Sequence, residues 1–486
     1  MLKDTGENSS NEKIYNWLNA GLTQIFLGCI SLLWSGQVDI NDWLTPACFN
    51  IISGIFLLPS IIKGFRHKGN QLLVDHLLIL AIMFFIYYVF GALLIQFGSK
   101  EEVDITLNYY PIDAKIAMRV IALNCIGFGL ALVAGAIVGR RFISRLTKSA
   151  IRSRISTPEH RVIFAFVLIG GSAFIYTTIT DLNLNAEVIS GTWRMLSQLS
   201  LIAIFTATAY RGKYSIPLMT LAIFLIILQL LAGLLMFNKS TILQSIAIFF
   251  VGLAWRFNSS RIILPGFVVI IAVYIAIGGL VSQARAIMYT DNRADFSDRI
   301  SILKDVILIG SKVVTSDRYG YWNRFSYLVP QGAAVDLYDR GNGGNDYSLL
   351  GWSFLPRTFF PDKPIMTDSS RDFHYKISGS MSSSTGHGVF VNGYYNLGWG
   401  GTVIVGILVG CFLAWTSAMT AVIFKARALL WIPFALLGCF MAFNINSNFV
   451  ESYWGSFVLL IYAVLAGLIF QRILPMKKSM GACKVN

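Results

Sequence analysis

The stretch SIPLMTLAIFLIILQLLAGLLMF, residues 215–237, decides the fold class of this chain. It carries no charged side chain. At about 1.5 Å of rise per residue, a helix of this length crosses the roughly 30 Å of hydrocarbon in a bilayer. A helix also satisfies its own backbone hydrogen bonds, which lipid cannot do. The stretch therefore predicts a transmembrane helix.

Comparable apolar runs recur along the chain. Of its 486 residues, 55% are hydrophobic and only 13% are charged, and the mean hydropathy is +0.63. Soluble proteins average about 25% charged residues, so an ordinary soluble enzyme is excluded, and an aromatic content of 14% excludes a disordered chain. We predict an all-α polytopic membrane protein with about twelve transmembrane helices. The predicted spans are 14–34, 43–62, 76–97, 116–138, 162–180, 194–210, 215–237, 241–256, 262–282, 399–424, 428–447 and 454–471.

The distribution of Lys and Arg between the loops predicts the orientation. Alternate loops and the C-terminal tail hold about twenty basic residues, whereas the intervening short loops hold only Lys100, Lys115 and Lys239. Basic loops remain on the cytoplasmic side. We therefore expect both termini in the cytoplasm. The net charge of +14 is then a topology signal, and no nucleic-acid partner is expected.

One long polar segment interrupts the pattern of short loops. It divides the chain into an N-terminal membrane region (1–282, about nine spans), a large periplasmic loop (283–398) and a C-terminal membrane region (399–486, about three spans). The loop contains twelve basic residues and eleven aspartates, so its charges do not act as an orientation signal. A loop of this length is typically functional. We expect the site to lie there.

Within the loop, residues 294–314 place apolar side chains on one helical face. Two interpretations stay open: the helix packs on the core of the loop, or it lies in the membrane interface. The residues of this face are Phe296, Ile300, Leu303, Ile307 and Gly310.

Nucleotide, zinc-protease and serine-hydrolase motifs are absent from the sequence. Cysteines with CxxC spacing, which indicate zinc or redox sites, are also absent. Of the five histidines, only His374 and His387 fall in the large loop. Histidine accepts protons near neutral pH, and arginine binds phosphate through its planar guanidinium group. The alternative for each loop arginine is a structural ion pair with a nearby aspartate.

Four short motifs of the loop occur in a recognisable order over about 80 residues. They are Trp322-Asn-Arg324-Phe-Ser-Tyr327, Phe354-Leu-Pro356-Arg357-Thr-Phe-Phe360-Pro361-Asp-Lys363-Pro364, Ser382-Ser-Ser-Thr385-Gly and Asn392-Gly-Tyr-Tyr395-Asn396-Leu-Gly398-Trp-Gly400. This pattern resembles the late extracytoplasmic loop of bacterial oligosaccharide repeat-unit polymerases, the Wzy-type O-antigen and exopolysaccharide polymerases. The twelve-span layout extends the resemblance loosely over the whole chain.

The resemblance implies an integral membrane glycosyltransferase that joins undecaprenyl-diphosphate-linked oligosaccharides, one as donor and the next as acceptor, without metal or cofactor. Other partners could include membrane lipids and the chain-length regulator and flippase of the same pathway. Arg324 and Arg357 match the arginines of the family loop and are expected to contact the diphosphate or glycan, with Arg285 or Arg318 as further contacts. Lys363 lies in the same matched segment.

The closing motif supplies the remaining expected site residues. Asn396 and Gly398 match it, and Gly398 is expected to serve the backbone turn. Asn392 stands where an acidic residue is common, so we expect His387 to act as the general base, and related O-antigen ligases also carry a histidine in this loop. Tyr395 could stack on a sugar. With an ordinary imidazole pKa, activity would rise with pH through roughly 6–7.

Three other functions remain open. An O-antigen or glycan ligase would share the fold and the arginines. A flippase or transporter would be expected to bury ionisable residues within its spans. The predicted spans are almost free of such residues, which favours an enzyme with its site in the loop. A non-catalytic scaffold of the assembly complex is the third alternative.

The predicted topology can be tested with reporter fusions at Gly343 and at the C-terminus. Because one point lies in the large loop and the other in the basic tail, we expect a periplasmic signal from the first and a cytoplasmic signal from the second. A fusion within the basic segment 140–161 serves as a cytoplasmic control. Matching signals at Gly343 and the C-terminus would mean that a span has been miscounted.

Overall fold

The protein was analysed in a computed structural model, which describes 4–66, 75–146, 160–182, 191–257, 259, 262–291, 296–309, 325–355, 360, 363–364, 368–379, 384–426, 431–458, 461 and 465. All regular secondary structure in these ranges is helical. Eight of the helices are long and apolar enough to cross a membrane. The chain is therefore a polytopic α-helical membrane protein.

Sixteen α-helices are described, and α3 continues to Phe97 through a π-helical turn (Phe85–Phe90), a 3-10 turn and α4. A second π-helical turn covers Phe449–Trp454. The helices are α1 (Asp4–Ser35), α2 (Leu44–Arg66), α3 (His76–Phe84), α4 (Leu94–Phe97), α5 (Lys100–Tyr109), α6 (Ala114–Leu146), α7 (His160–Asp181), α8 (Gly191–Ala209), α9 (Ser215–Leu235), α10 (Lys239–Phe257), α11 (Ile263–Asp291), α12 (Phe296–Ile309), α13 (Leu328–Asp339), α14 (Asp368–Ser378), α15 (Val389–Ala426) and α16 (Ile432–Phe443).

Eight of the twelve predicted spans coincide with candidate membrane helices. These are Asn16–Ser35, Leu44–Gly64, His76–Phe97, Ala114–Gly139, Ile163–Asp181, Ser215–Leu235, Lys239–Phe257 and Val389–Ile423. Three more predicted spans contain the shorter apolar helices Leu196–Ala209, Pro265–Gly278 and Phe434–Phe443. The last predicted span, 454–471, lies largely outside the described residues. The total of twelve spans remains a prediction.

Helix α6 lies at the centre of the packing and meets its neighbours at glycines. A Cβ atom added to Gly21 of α1 would lie 2.7 Å from the carbonyl oxygen of Gly129. On the other side, a Cβ atom on Gly406 would lie 2.6 Å from the carbonyl oxygen of Gly127, and one on Gly410 would lie 2.1 Å from that of Ala131. These distances leave no space for a side chain, so the helix backbones are in direct contact.

Helix α15 is a hairpin of two arms. Its backbone leaves helical geometry at Leu397 and Gly398, and Gly398 has φ +62°, which suits glycine. The Thr402 hydroxyl donates to the carbonyl of Phe390 at 3.2 Å, although twelve residues of straight helix would span about 18 Å. The short arm (389–396) therefore folds back along the long arm (399–426).

The helical segment of this hairpin runs across the predicted boundary at 398/399. The helical segment begins at Val389, and the short arm is buried between α6 and the long arm, with the Phe390 ring against Gly127. Hydropathy locates the apolar run but cannot detect a reversal within it. At the other end of the predicted loop, α11 continues to Asp291, beyond the predicted end of the ninth span at 282.

Helix α13 also belongs to the bundle, although it lies within the predicted loop. The side chain of Gln331 is buried and accepts a 2.9 Å hydrogen bond from Asn124 of α6. A Cβ atom on Gly332 would lie 2.7 Å from the Ile112 side chain. Part of the predicted periplasmic loop is therefore folded against the membrane helices.

Helix α12 has two apolar faces. Ile302 and Val306 are buried with Phe237 at the end of α9. Phe296 and Ile307, from the face predicted by the sequence, are exposed. The helix thus packs on the membrane bundle with one face and presents the other outward, and Gly310 lies outside the described residues.

The hairpin provides a matched test of packing. A Cβ atom on Gly401 would lie 2.0 Å from the carbonyl oxygen of Gly393, whereas one on the neighbouring Gly400 would meet nothing within 4 Å. We expect Gly401→Ala to lower the free energy of unfolding by at least about 1–3 kcal/mol, the usual cost of overpacking. Gly400→Ala should be neutral or slightly stabilising in a helix. Thermal unfolding of the purified protein measures both, and equal midpoints would contradict the hairpin.

Candidate functional site

Three breaks in helical structure meet at one place in the bundle: 384–388 before the short arm, 444–448 after α16, and 325–327 before α13. The backbone N–H groups of Gly388 and Val389 donate to the carbonyls of Asn446 (3.1 Å) and Ile445 (2.9 Å). The Tyr88 hydroxyl donates to the same Ile445 carbonyl, and the Asn446 amide donates to the Tyr327 hydroxyl at 2.6 Å. The breaks therefore satisfy each other's polar groups, as irregular backbone within a membrane bundle requires.

A buried polar cluster lies beside this junction and centres on Asn392. Its Nδ2 donates to Asp346 Oδ2 (2.9 Å) and to His387 Nε2 (3.0 Å), while its Oδ1 accepts from the backbone N–H of Phe449 (3.2 Å). Asn396 Nδ2 donates to the same Asp346 oxygen (3.2 Å), and Asn396 Oδ1 accepts from the Asp346 backbone N–H (2.7 Å). His387, Asn392 and Asn396, three of the expected site residues, thus form one cluster with Asp346.

The hydrogen bonds of Asn392 determine the tautomer of His387. An amide nitrogen is only a donor, so Nε2 of His387 must be the acceptor and carry no proton. In the neutral imidazole the proton is therefore on Nδ1, which has no hydrogen-bond partner among the described residues. His387 is held as a buried donor without an acceptor, and Asn392 occupies its free lone pair.

Burial also determines the charge of His387. The side chain is 0% exposed, and this burial lowers its pKa, while the carboxylate of Asp346 opposes the change. The desolvation effect dominates, so His387 is neutral near pH 7. The rise of activity through pH 6–7, expected from an ordinary imidazole, therefore does not follow from this environment.

Aromatic rings enclose the imidazole of His387. The ring centroids of Phe373 and Tyr395 lie 4.3 Å and 4.9 Å from that of His387. The Tyr395 hydroxyl accepts from Lys376 Nζ at 3.0 Å. Tyr395 is 2% exposed, so in this conformation its ring packs on His387 and is not available for the sugar stacking expected from the sequence.

A second polar group adjoins the cluster through Asn448. Its Oδ1 accepts from the His387 backbone N–H at 3.4 Å, and its Nδ2 donates to the hydroxyls of Ser369 and Ser370 at 3.2 and 3.1 Å. The Ser370 hydroxyl donates to Glu451 at 2.5 Å. Two carboxylates, Asp346 and Glu451, therefore flank His387 within a chain of hydrogen bonds.

The other expected site residues lie apart from this cluster or cannot be assigned to it. The ammonium group of Lys363 donates to the Leu355 carbonyl at 3.0 Å. Arg285 is on α11, but its side chain is not described. Arg318, Arg324 and Arg357 lie outside the described residues. The arginines expected to bind diphosphate therefore remain predictions from the resemblance.

Nothing in the sequence singled out Asp346 or Glu451 as site residues. Asp346 ends a glycine-rich turn, where an aspartate commonly serves the turn itself. Glu451 is an isolated acidic residue in an apolar segment. The signal that could have identified Asp346 is the asparagine at 392: an amide in place of an acidic residue can donate to a carboxylate elsewhere in the chain. Among the described residues, no group of three His, Cys, Asp or Glu side chains has the proximity of a metal site.

The pH dependence of stability tests the buried state of His387. Since its folded-state pKa is lowered, the unfolded chain binds an additional proton below about pH 6.5, and stability falls as pH falls. This contribution is about 1.4 kcal/mol per pH unit at most. We expect the unfolding midpoint to drop between pH 7 and pH 5.5, and to drop less in His387→Gln. Asn342→Gln, at an exposed position, should keep the wild-type slope. An unchanged slope in His387→Gln would contradict burial of the neutral form.

Comparison of the chain with protein-family models, with curated proteins and with solved structures finds no match. The function of the chain is therefore inferred from the motifs of the sequence and from the geometry of the cluster. That geometry joins a histidine, two asparagines and an aspartate from segments separated by up to 50 residues.

Proposed function

We propose that the protein is an integral membrane glycosyltransferase that polymerises undecaprenyl-diphosphate-linked oligosaccharide repeat units into a polysaccharide. The observation that carries the proposal is the contact between Asn392 and Asp346 (2.9 Å). The closing motif lacks an acidic residue at 392, and Asp346 supplies a carboxylate next to that position. The cluster thus offers the acid–base group that such a transfer needs.

In the proposed reaction, an acceptor hydroxyl attacks the anomeric carbon of the donor and displaces the lipid diphosphate. The hydroxyl proton passes to Asp346 or to His387, the two candidate bases, which Asn392 links by hydrogen bonds. Asp346 is the more accessible member at 8% exposure, and the two amides that donate to its Oδ2 hold the carboxylate in place. General-base assistance of this kind contributes about 10²–10⁴-fold to the rate. His387 needs a rearrangement of Asn392 before Nε2 can accept a proton.

The leaving diphosphate requires positive charge, which we assign to Arg324 and Arg357, with Arg285, Arg318 and Lys363 as further candidates. A planar guanidinium group can form two parallel hydrogen bonds to phosphate oxygens, whereas a lysine acts as a point charge. Removal of one preorganised group of this kind costs about 10²–10³-fold in rate.

The positions of the ionisable groups favour an enzyme over a flippase. In the part of the chain that is described, Asp346 and His387 lie outside the candidate spans. Arg119, near one end of the α6 span, is paired with Asp339 and donates to the Tyr394 hydroxyl at 2.6 Å. This pairing gives Arg119 a structural role.

We expect Asp346→Asn, His387→Gln and Arg357→Lys each to stop extension at single repeats. Arg357→Lys should be nearly as damaging as Arg357→Ala, because a point charge cannot replace bidentate binding. The assay is glycan chain length on a gel, in cells that lack their own copy of the gene, with the amount of each variant measured by blot. His374→Gln is the matched control and should be milder, since His374 contacts Thr385 at 2.8 Å and lies outside the cluster.

The same assay separates the competing functions. Full-length polymer from Asp346→Asn and His387→Gln would contradict the acid–base assignment, and full-length polymer from Arg357→Lys would remove Arg357 from the site. Loss of a ligase would leave long chains on the lipid carrier. Loss of a flippase would leave single lipid-linked repeats on the cytoplasmic side.

A further inference from the structure

A second polar space lies between α7, α8, α9 and α10, away from the Asn392 cluster. It is a cavity of about 210 Å³. Helices α7, α9 and α10 are among the eight candidate membrane helices, and α8 carries an apolar stretch at Leu196–Ala209. Hydroxyl and amide side chains nevertheless dominate the lining, among them Thr177, Thr178, Ser197, Gln198, Ser200 and Gln229. The polar groups of such a lining need hydrogen-bonding partners, which water or a bound ligand supplies.

Two buried polar atoms of the lining residues lack hydrogen-bond partners among the described residues. Gln229 of α9 is 1% exposed; its Nε2 donates to the Ser200 hydroxyl at 2.7 Å, but its Oε1 has no partner in the described structure. The buried Oγ1 of Thr178 on α7 also has no hydrogen-bond partner among the described residues. A buried acceptor without a donor costs about 1–3 kcal/mol. Both atoms line the cavity, so a bound ligand could satisfy both.

The described lining of the cavity has few charged side chains to bind a charged ligand. Asp181 is the one ionisable residue among those described as lining it. Burial lowers the pKa of Arg299 on α12, and the charge of Asp181 opposes that change, so the two groups interact. Arg299 Nη1 also donates to the Leu235 carbonyl at 3.3 Å. A cation is therefore already present beside the carboxylate.

We propose that this cavity binds a neutral, polyhydroxylated ligand the size of one sugar. The hydroxyl groups of such a ligand both donate and accept hydrogen bonds. They can therefore pair with the hydroxyl and amide groups of the lining, including Gln229 Oε1. At about 30 Å³ per water molecule, the volume corresponds to roughly seven waters, which suits a single pyranose ring. The site is separate from the Asn392 cluster and does not rest on the proposed polymerase activity.

The test is sugar binding to the purified full-length protein in lipid nanodiscs, measured by saturation-transfer-difference NMR. The probes are D-glucose, D-galactose and N-acetyl-D-glucosamine, with ethanolammonium as a cationic competitor. Gln229→Leu keeps the volume but removes the amide, and Thr178→Val removes the hydroxyl. Thr220→Val on the same helix as Gln229 is the matched control, because Thr220 is exposed and outside the cavity.

We expect saturable binding of at least one sugar, at least about tenfold weaker in Gln229→Leu and unchanged in Thr220→Val. Gln229→Leu removes both the hydrogen bond to Ser200 and an unpartnered buried oxygen, and because these two effects oppose each other we expect only a small change in its unfolding midpoint. If this variant fails to fold, Thr178→Val provides the same comparison. The proposal is overturned if none of the three sugars binds, as expected for a cavity that holds only water. Equal affinity in the cavity variants or displacement of the sugar by ethanolammonium would also overturn it.

Discussion

Backbone contact along α6 is the constraint on which the rest of the bundle depends. In lipid, apolar side chains gain little free energy when they move from the hydrocarbon into the protein interior. Helices therefore associate through close packing and hydrogen bonds. Glycines at 21, 129, 127, 406 and 410 allow α1 and the long arm of α15 to touch α6 on two sides. A side chain at any of these contacts would separate the helices. The short arm packs against the same helix, so its position depends on the contact between α6 and the long arm.

The polar cluster follows from that position. Asn392 and Asn396 lie on one side of the short arm. His387 comes just before this arm and lies against the break at 444–448. Asp346 reaches the cluster from a 3-10 turn between α13 and α14. Among the described residues, His387 Nδ1 is the one side-chain nitrogen of the cluster without a hydrogen-bond partner. The side-chain amides of Asn392 and Asn396 are engaged by hydrogen bonds, which hold the site in one rigid arrangement. Rigid surroundings of this kind are what preorganised acid–base chemistry needs.

Much of the fold could be predicted from the sequence, because an apolar run of sufficient length has one stable structure in lipid. The predicted role of Gly398 in the backbone turn is confirmed by its positive φ. Helices continue across the predicted loop boundaries at 282 and 399, which hydropathy could not indicate because it is blind to a reversal and to helical extensions. For the site, proximity in sequence grouped His387 with Asn392, but the contact with Asp346 depends on tertiary packing across 46 residues.

The hairpin at Gly398 has a consequence for the biogenesis of the protein. Eight residues of helix extend only about 12 Å, less than half of the hydrocarbon thickness. The short arm therefore cannot be recognised by the insertion machinery as a membrane segment of its own. Its place in the bundle depends instead on its contacts with α6 and with the long arm. The polar cluster can therefore form only when tertiary packing closes this hairpin, and not through membrane insertion alone.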